Sequence, residues 1–454
     1  MDYKNNILEL IGNTPLVKLH KISRGLKPQI FAKLESFNPG GSVKDRIGIA
    51  MIEDAERNGL LKPGGTIVEA TSGNTGIGLA LAAAVKGYKS VFVVTDKVSS
   101  EKINYLKALG ADVVVTSNAL KHDHPDYYVT LAKKIANENS GSLFMYQYSN
   151  KANPEVHYRT TGPELWRQTE GKITHFISGI GTGGTISGTG QYLKEKNPGV
   201  KIIGADPIGS IFKFYKETRI ITEGNPYLVE GIGQDCIPEN VRFEYIDEII
   251  NVSDKESFSA ARKLSRMEGL FCGGSTGTAV HAALTIAKEL DENAVIVFVV
   301  SDTGERYLSK FHNIEWLREK RLLAQEVNCL GDISRVKKSG KFKELIFVNA
   351  ADKIRKAIEI LNENNFSQLP VLDNGIPVGS IREPKFMARI LENPELLDKN
   401  VEEIMADCFP ILDERTDLFT VKDHLTKTTA VLVSEYGKIV DLITRYDVIE
   451  YTTM

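Results

Sequence analysis

The chain has 454 residues, 42% of them hydrophobic and 25% charged, with a formal net charge of −3. That length makes room for roughly two to four domains, and a near-neutral balance without Lys/Arg blocks excludes a nucleic-acid or anionic-membrane surface as the main role. The four cysteines, Cys236, Cys272, Cys329 and Cys408, form no C-x-x-C pair, so neither a disulfide framework nor structural zinc is expected and the compartment reads as cytoplasmic. The first six residues lack a signal-peptide pattern. Apolar runs such as Ala294 to Val300 are strand-sized and too short to span a bilayer.

In chain order, a strand-like run Ile30–Lys33 leads into Asn38-Pro39-Gly40-Gly41-Ser42-Val43-Lys44-Asp45-Arg46, which opens a helix. An ammonium at a helix start meets the positive end of the dipole, so the neutral amine is favoured and available as a nucleophile. Thr66–Glu69 passes through Thr71-Ser72-Gly73-Asn74-Thr75-Gly76 into a helix over Ile77–Val85, and Ser90–Thr95 is the next strand. Ile173–Ser178 runs through Gly181-Thr182-Gly183-Gly184-Thr185 into a helix ending near Lys194. Glycines at that place let backbone N–H groups close on a phosphate. No Gly-Lys-Ser/Thr ending makes this a Walker loop, and no acid at the right distance makes it a nicotinamide site. Lys201–Ala205, the turn Cys272-Gly273-Gly274-Ser275-Thr276-Gly277 and strand Val295–Val300 complete the series. Strands alternating with helices over residues 7–325 predict an α/β protein with mostly parallel sheets, and that length exceeds one sheet, so two subdomains flanking a cleft are expected.

Around 320–340 the chain becomes charged and aperiodic, with Arg318, Lys320, Arg321, Arg335, Lys337 and Lys338. This reads as a linker, placed at 326–338. Beyond it, a helix, strand, tight turn and strand occur twice: Asp352–Asn364, Gln368–Asp373, Asn374-Gly375 and Val378–Ile381, then Val421–Thr426, Ala430–Val433, Tyr436-Gly437 and Ile439–Thr444. Such a repeat predicts a pseudo-symmetric pair. His122 and His124, flanking Asp123, read as a solvated turn rather than a metal site, and no metal is expected. His20 and His157 read as structural, and Cys272 as a small buried filler.

Taken together, the opening Ile11-Gly12-Asn13-Thr14-Pro15-Leu16, the lysine motif and the three Gly turns, in this order over about residues 7–320, resemble the fold-type II pyridoxal-phosphate enzymes, the group that holds cysteine synthases and cystathionine β-synthases. The resemblance implies two three-layer αβα subdomains in a catalytic domain over 1–325, one of them mobile and spanning roughly 45–150. It implies pyridoxal 5'-phosphate as cofactor. Lys44 would bind it covalently and then move the proton at the substrate α-carbon. Asn74 would meet the ring hydroxyl, Gly181, Thr182, Gly183, Gly184 and Thr185 the phosphate, and Ser275 the ring nitrogen. Thr71, Ser72, Gly73, Thr75, Gln147, Tyr148 and Gly231 would form the substrate site. A neutral serine at the ring nitrogen weakens the electron sink, which favours β-elimination to an aminoacrylate and β-replacement over transamination.

Gly40-Gly41 before Ser42, and Val229-Glu230-Gly231-Ile232-Gly233 with Asp235 and Ile237-Pro238, are similar to cystathionine β-synthases. These imply L-serine plus L-homocysteine giving L-cystathionine. Gln234 stands where animal members have tyrosine, which leaves O-acetylserine open as first substrate. A cysteine synthase with an added module, a threonine-deaminase-like lyase and a non-catalytic adenosyl sensor are the other readings. Residues 339–454 resemble a tandem CBS-domain (Bateman) module, with repeats at roughly 339–395 and 400–454. Such modules bind adenosyl ligands, S-adenosylmethionine in animal members, and here Phe366, Gln368, Thr444 and Asp447 would contact one. The first repeat reads Ile381-Arg382-Glu383-Pro384 where the second has its Thr-x-x-Asp ending, so one ligand site is expected rather than two. Animal members carry a haem segment with Cys and His ligands ahead of the core; none is visible here and no haem is expected. A homodimer or higher homo-oligomer is the family expectation.

Overall fold

The structure, a computed structural model, describes residues 1, 3–120, 124–322, 329–338 and 344–453. His122 and Asp123 lie outside the described residues. The chain divides into two compact units, Met1–Leu323 and Ala324–Met454.

The first unit holds two sheets. The larger has the order Leu16–Lys18, Gln29–Leu34, Val295–Val300, His175–Gly179, Lys201–Pro207 and Glu248–Val252. All its pairings are parallel except the Leu16–Lys18 edge. Period-two alternation sends Ile177, Phe298 and Val300 to one core and Phe176, Val297 and Val299 to another. Both faces are therefore dry, which is why these strands are almost continuously apolar in sequence. Helices Asp254–Lys263 and Gly274–Ala287 supply the first core, and helices Gly162–Gln168 and Gly184–Lys196 the second. The smaller sheet, Asp112–Thr116, Lys89–Thr95, Thr66–Ala70 and Ser142–Phe144, is wholly parallel. It too is covered on both faces, Ile67, Phe92 and Val94 on one and Val68, Ala70 and Val93 on the other. These are the two three-layer α/β subdomains that the strand–helix alternation called for. Its two outer strands, Asp112–Thr116 and Ser142–Phe144, escape the sequence pattern because they are short and only half-buried.

The second unit contains two copies of one motif. Val348–Asn349, Gln368–Asp373 and Ile376–Arg382 form one three-stranded sheet, and Ile411–Asp413, Ala430–Glu435 and Lys438–Thr444 the other. The hairpin turns Asn374-Gly375 and Tyr436-Gly437 both have positive φ at each central residue, as a type I′ turn requires. Each hairpin is bulged at the same distance before its turn, between Val371 and Leu372 and between Val433 and Ser434.

The linker expected at 326–338 is corrected by the structure. Leu330–Lys338 is a helix, and Leu330 and Ile333, three residues apart on one face, are buried in the core of the second repeat. Of the charged residues that looked like a linker, Arg335 is on the exposed face of that amphipathic helix, Lys337 turns inward to Asp447, and Arg318, Lys320 and Arg321 precede it. The first repeat also continues past 395, since Val401 and Ile404 join its core and Ala406 pairs with Ser380.

One helix contact positions the site. The helix Lys44–Arg57 crosses Asn74–Lys86 at backbone contact: a Cβ on Gly48 would lie 2.4 Å from the Gly78 carbonyl carbon. Gly48→Ala should therefore push these two helices apart and destabilise the unit by about 1–3 kcal/mol, read as a lowered midpoint in thermal unfolding.

Candidate active site

Lys44 occupies the first turn of its helix, its N–H donating to Ser42 Oγ at 3.2 Å. Two residues on, Arg46 is buried and forks onto two carboxylates. Nε and Nη2 reach Glu35 at 2.7 and 2.8 Å, and Nη1 and Nη2 reach Glu164 at 2.7 and 2.8 Å. Thr14 Oγ1 donates to Glu35 at 2.6 Å, and Asn13 N–H to Glu164 at 2.9 Å. The Ile11–Leu16 motif thus clasps this network. Despite a burial that favours the neutral acid, Arg46 draws Glu35 down to about 2. Burial lowers Lys44 to about 8, with Asp302 and Glu35 opposing. Desolvation, which the helix-end argument from the sequence left out, is the largest cause.

Lys44 lines a cavity of about 820 Å³. Of the residues expected to act with it, Thr71, Ser72, Asn74, Thr75, Gln147, Tyr148, Gly181, Thr182, Gly183, Thr185, Gly231 and Ser275 line the same cavity. Gly73 and Gly184 sit beside it as the N-cap of one helix and the first residue of another. Three helices, Asn74–Lys86, Gly184–Lys196 and Gly274–Ala287, begin here behind glycine N-caps that make no side-chain cap bond. Helix N-termini aimed at one cavity suit a carboxylate and a phosphate.

The Gly181–Thr185 loop fits a phosphate. Gly183 has φ +86°, and a Cβ there would come 2.5 Å from the Val241 side chain. A Cβ on Gly184 would fall 1.8 Å from Asn153 Oδ1. Side chains are excluded, and the backbone N–H groups stay open. Asn153 Nδ2 donates to Thr182 Oγ1 at 2.9 Å and fixes that hydroxyl. In the Asn loop, Thr71 Oγ1 accepts from Gly73 N–H at 2.9 Å, and Thr75 Oγ1 donates to Gln147 Oε1 at 2.6 Å. Ser275 is buried and neutral. Asn74 Nδ2 donates to Asp302 Oδ2 at 2.7 Å, and Arg306 Nη1 donates to Asn74 Oδ1.

Several neighbours of the site were not legible in the sequence. Asp302 also accepts from Tyr307 at 2.6 Å. Glu230, on the cavity wall, accepts from Lys102 at 2.9 Å and Lys310 at 2.5 Å. His157, which the sequence marks only as structural, lies in a π-helical turn, His157–Thr161. Such turns recur at functional sites. Its Nδ1 is 2.9 Å from Thr161 Oγ1 and its Nε2 3.2 Å from Thr185 Oγ1. In the C-terminal unit, Thr444 Oγ1 donates to Asp447 Oδ2 at 2.7 Å, and Lys337 Nζ reaches the same oxygen at 3.3 Å. Gln368 Oε1 accepts from Thr429 at 2.6 Å, while Phe366 packs on the first repeat's core. Among the described residues no group of His, Cys, Asp and Glu is arranged to hold a metal, and no helix is long and apolar enough to cross a membrane.

Burial, reinforced by the Arg46 charge, pushes His157 from 6.5 down to about 3. Its folded pKa lies below its unfolded value, so the unfolded chain binds the extra proton. The stability it contributes is complete above pH 6.5 and is lost as pH falls toward 3. Thermal unfolding of His157→Asn should depend less on pH, by about 1.4 kcal/mol per pH unit between roughly pH 6 and 4.

The chain matches the family Pyridoxal-phosphate dependent enzyme over residues 7–302 and CBS domain over 341–392 and 401–453. It is 36% identical to the cystathionine beta-synthase of Saccharomyces cerevisiae over 99% of this chain and 98% of that one. Identity to the cystathionine beta-synthase of Dictyostelium discoideum is 37% over 98% and 92% of the two chains. Among solved structures, the O-acetylserine dependent cystathionine beta-synthase from Helicobacter pylori aligns with a TM-score of 0.63 at 38% identity, covering 68% of this chain and 99% of that one. With its lysine, its phosphate-fitting loop and its two C-terminal repeats in place, the chain belongs to the pyridoxal-phosphate-dependent enzymes of the cystathionine β-synthase group.

Proposed function

We propose that the enzyme condenses L-serine with L-homocysteine to give L-cystathionine and water. The observation that carries this is the meeting of Lys44, the Asn loop and the Gly181–Thr185 loop around one cavity. Pyridoxal 5'-phosphate, when bound, supplies the electron sink that lets the α-proton and the β-substituent of the amino acid leave. The chain's residues do the rest. The N–H groups of Gly181 to Thr185 and the hydroxyls of Thr182 and Thr185 hold the phosphate. Thr71, Ser72 and Thr75 hold the substrate carboxylate at a second helix N-terminus. Lys44, brought to about 8, has its neutral form within reach near neutral pH. It takes the α-proton and delivers a proton to the departing hydroxyl oxygen. The thiol sulfur then bonds to the β-carbon, and the thiol proton, passed through Lys44, replaces the hydrogen lost from the α-carbon, while the α-proton and the hydroxyl have left as water. Ser275 would face the ring nitrogen without adding charge. We take the working form to be a homodimer or higher homo-oligomer, as the family resemblance implies, and cytoplasmic, as the cysteine pattern suggests.

A second reading, O-acetylserine as first substrate, rests on Gln234 at the cavity wall and on the similarity to the O-acetylserine dependent enzyme from Helicobacter pylori. Acetate leaves without the acid help that hydroxide needs. Offering each donor with homocysteine decides between them: cystathionine from serine supports the main reading, and cystathionine from O-acetylserine alone supports the second. Lys44→Ala should lose the visible absorbance of lysine-bound cofactor and at least about 10²-fold in turnover.

In the C-terminal module, Thr444 and Asp447 are proposed to hold the ribose of an adenosyl ligand. S-adenosylmethionine at 100 times its Kd should stabilise the wild-type module by about 2.7 kcal/mol in thermal unfolding, and Asp447→Ala should remove most of that gain.

A further inference from the structure

Beside the reaction cavity lies a second one of about 270 Å³, and the two share Tyr127, Tyr128, Tyr148 and Gln234. The two cavities adjoin along these four residues, which form a wall common to both. The shared wall is ordered by its own hydrogen bonds. The Tyr128 and Tyr148 hydroxyls lie 3.1 Å apart, and Gln234 Nε2 donates to Tyr148 at 3.4 Å.

The far wall includes Tyr146 and Glu239. Tyr146 has φ +47°, a conformation that costs a bulky residue about 1–3 kcal/mol and persists only when its surroundings impose it. The surroundings do so. Its carbonyl accepts from Ser149 and Asn150 N–H at 3.2 and 3.1 Å. Asn150 Nδ2 donates to Met145 O at 3.0 Å, and the next residue, Gln147, is tied to Thr75 and to Ala70 O. The strained turn sets the Tyr146 ring 6.1 Å from that of Tyr148. Among the described residues the second cavity is lined by no Lys or Arg, and Glu239 is its only charged group.

Phenol rings with one carboxylate and no cation attract an ammonium and offer nothing to a free phosphate. Sulfide, a single heavy atom, has no use for such a wall. We propose that this second cavity is the acceptor subsite, holding the α-ammonium of an amino-acid thiol against Glu239 and the rings of Tyr146 and Tyr148 while the thiol extends into the reaction cavity. The assignment rests on the β-replacement reading above and names the class of nucleophile it takes.

Glu239 is exposed at the protein surface, so Glu239→Gln is expected to fold. The holoenzyme and this variant would be assayed with serine and four nucleophiles: homocysteine, cysteamine, 3-mercaptopropionate and sulfide. Loss of one charged hydrogen bond should lower kcat/KM for homocysteine and for cysteamine about tenfold relative to sulfide, through KM. The value for 3-mercaptopropionate, which has no ammonium, should hold or rise. Equal changes for homocysteine and sulfide, or no change for either, would overturn the subsite. Wild-type enzyme that makes cystathionine while the variant keeps its KM for homocysteine removes only the subsite. Wild-type enzyme that accepts sulfide and ignores homocysteine removes the reaction reading and the subsite together.

Discussion

Arg46, buried between Glu35 and Glu164, fixes where the rest of the catalytic unit must go. Two buried carboxylates are tolerable only if a planar fork satisfies both. Lys33 adds the second positive charge, 2.7 Å from Glu164, so the cluster is balanced. Three parts of the chain meet here: Lys33 near the end of the strand Gln29–Leu34 with Glu35 just after it, Arg46 on the Lys44 helix, and Glu164 on the helix after the π-helical turn. Removing a partner would leave an uncompensated buried charge, a loss of about 3–5 kcal/mol. The Lys44 helix is therefore held in rotation and in depth, and Lys44, two residues before the anchor, is held with it.

From that anchored helix the site is built outward by close backbone contact. Gly48 lets the Asn74 helix lie directly against it, which sets the Thr71–Thr75 loop next to Lys44. The same Arg46 charge helps keep His157 neutral, and neutral His157 can hydrogen-bond Thr161 on one side and Thr185 on the other. Thr185 of the phosphate-fitting loop is thus tied to the His157–Thr161 turn through a single imidazole, and Thr160 of that turn accepts from Arg46 at 3.1 Å. Placing three helix N-termini around one cavity concentrates positive potential there, and burial of Lys44 turns the residue facing them from a permanent cation into a group that can exchange a proton near neutral pH.

What the sequence disclosed follows from this. Glycines at 181, 183 and 184 are legible because a side chain would collide with Val241, Asn153 or the Gly231 carbonyl, so backbone geometry dictates residue type. The parallel strands are legible because both sheet faces are dry. Asp302, Arg306 and His157 carry no local signature: the partners that matter at the site, Asn74 for Asp302 and Arg306 and Thr185 for His157, lie 228, 232 and 28 residues away, and only the fold brings them together. The helix Leu330–Lys338 was misread because Asp332, Arg335, Lys337 and Lys338 outnumber its two core residues, Leu330 and Ile333. Tyr146 is hidden for a similar reason, since nothing in Phe144-Met145-Tyr146-Gln147 marks a left-handed residue.

The two C-terminal repeats match in turn, register and bulge, yet they differ at the point where chemistry would occur. After its last strand the second repeat has Thr444 and Asp447 bonded to each other, with Lys337 reaching the same carboxylate and Ser334 donating to nearby Asp441 at 2.7 Å. The first repeat has Arg382-Glu383-Pro384 there, and Arg382 lies over the Phe409 ring at 5.2 Å. A proline in the first helical turn keeps the fold but supplies no donor, so the equivalence of the backbones does not extend to the polar groups. The helix Leu330–Lys338 completes only the second repeat, bringing one cation to its acid. Lys337 thus occupies the Asp447 carboxylate, and the same helix that completes the second repeat's core also neutralises its acid.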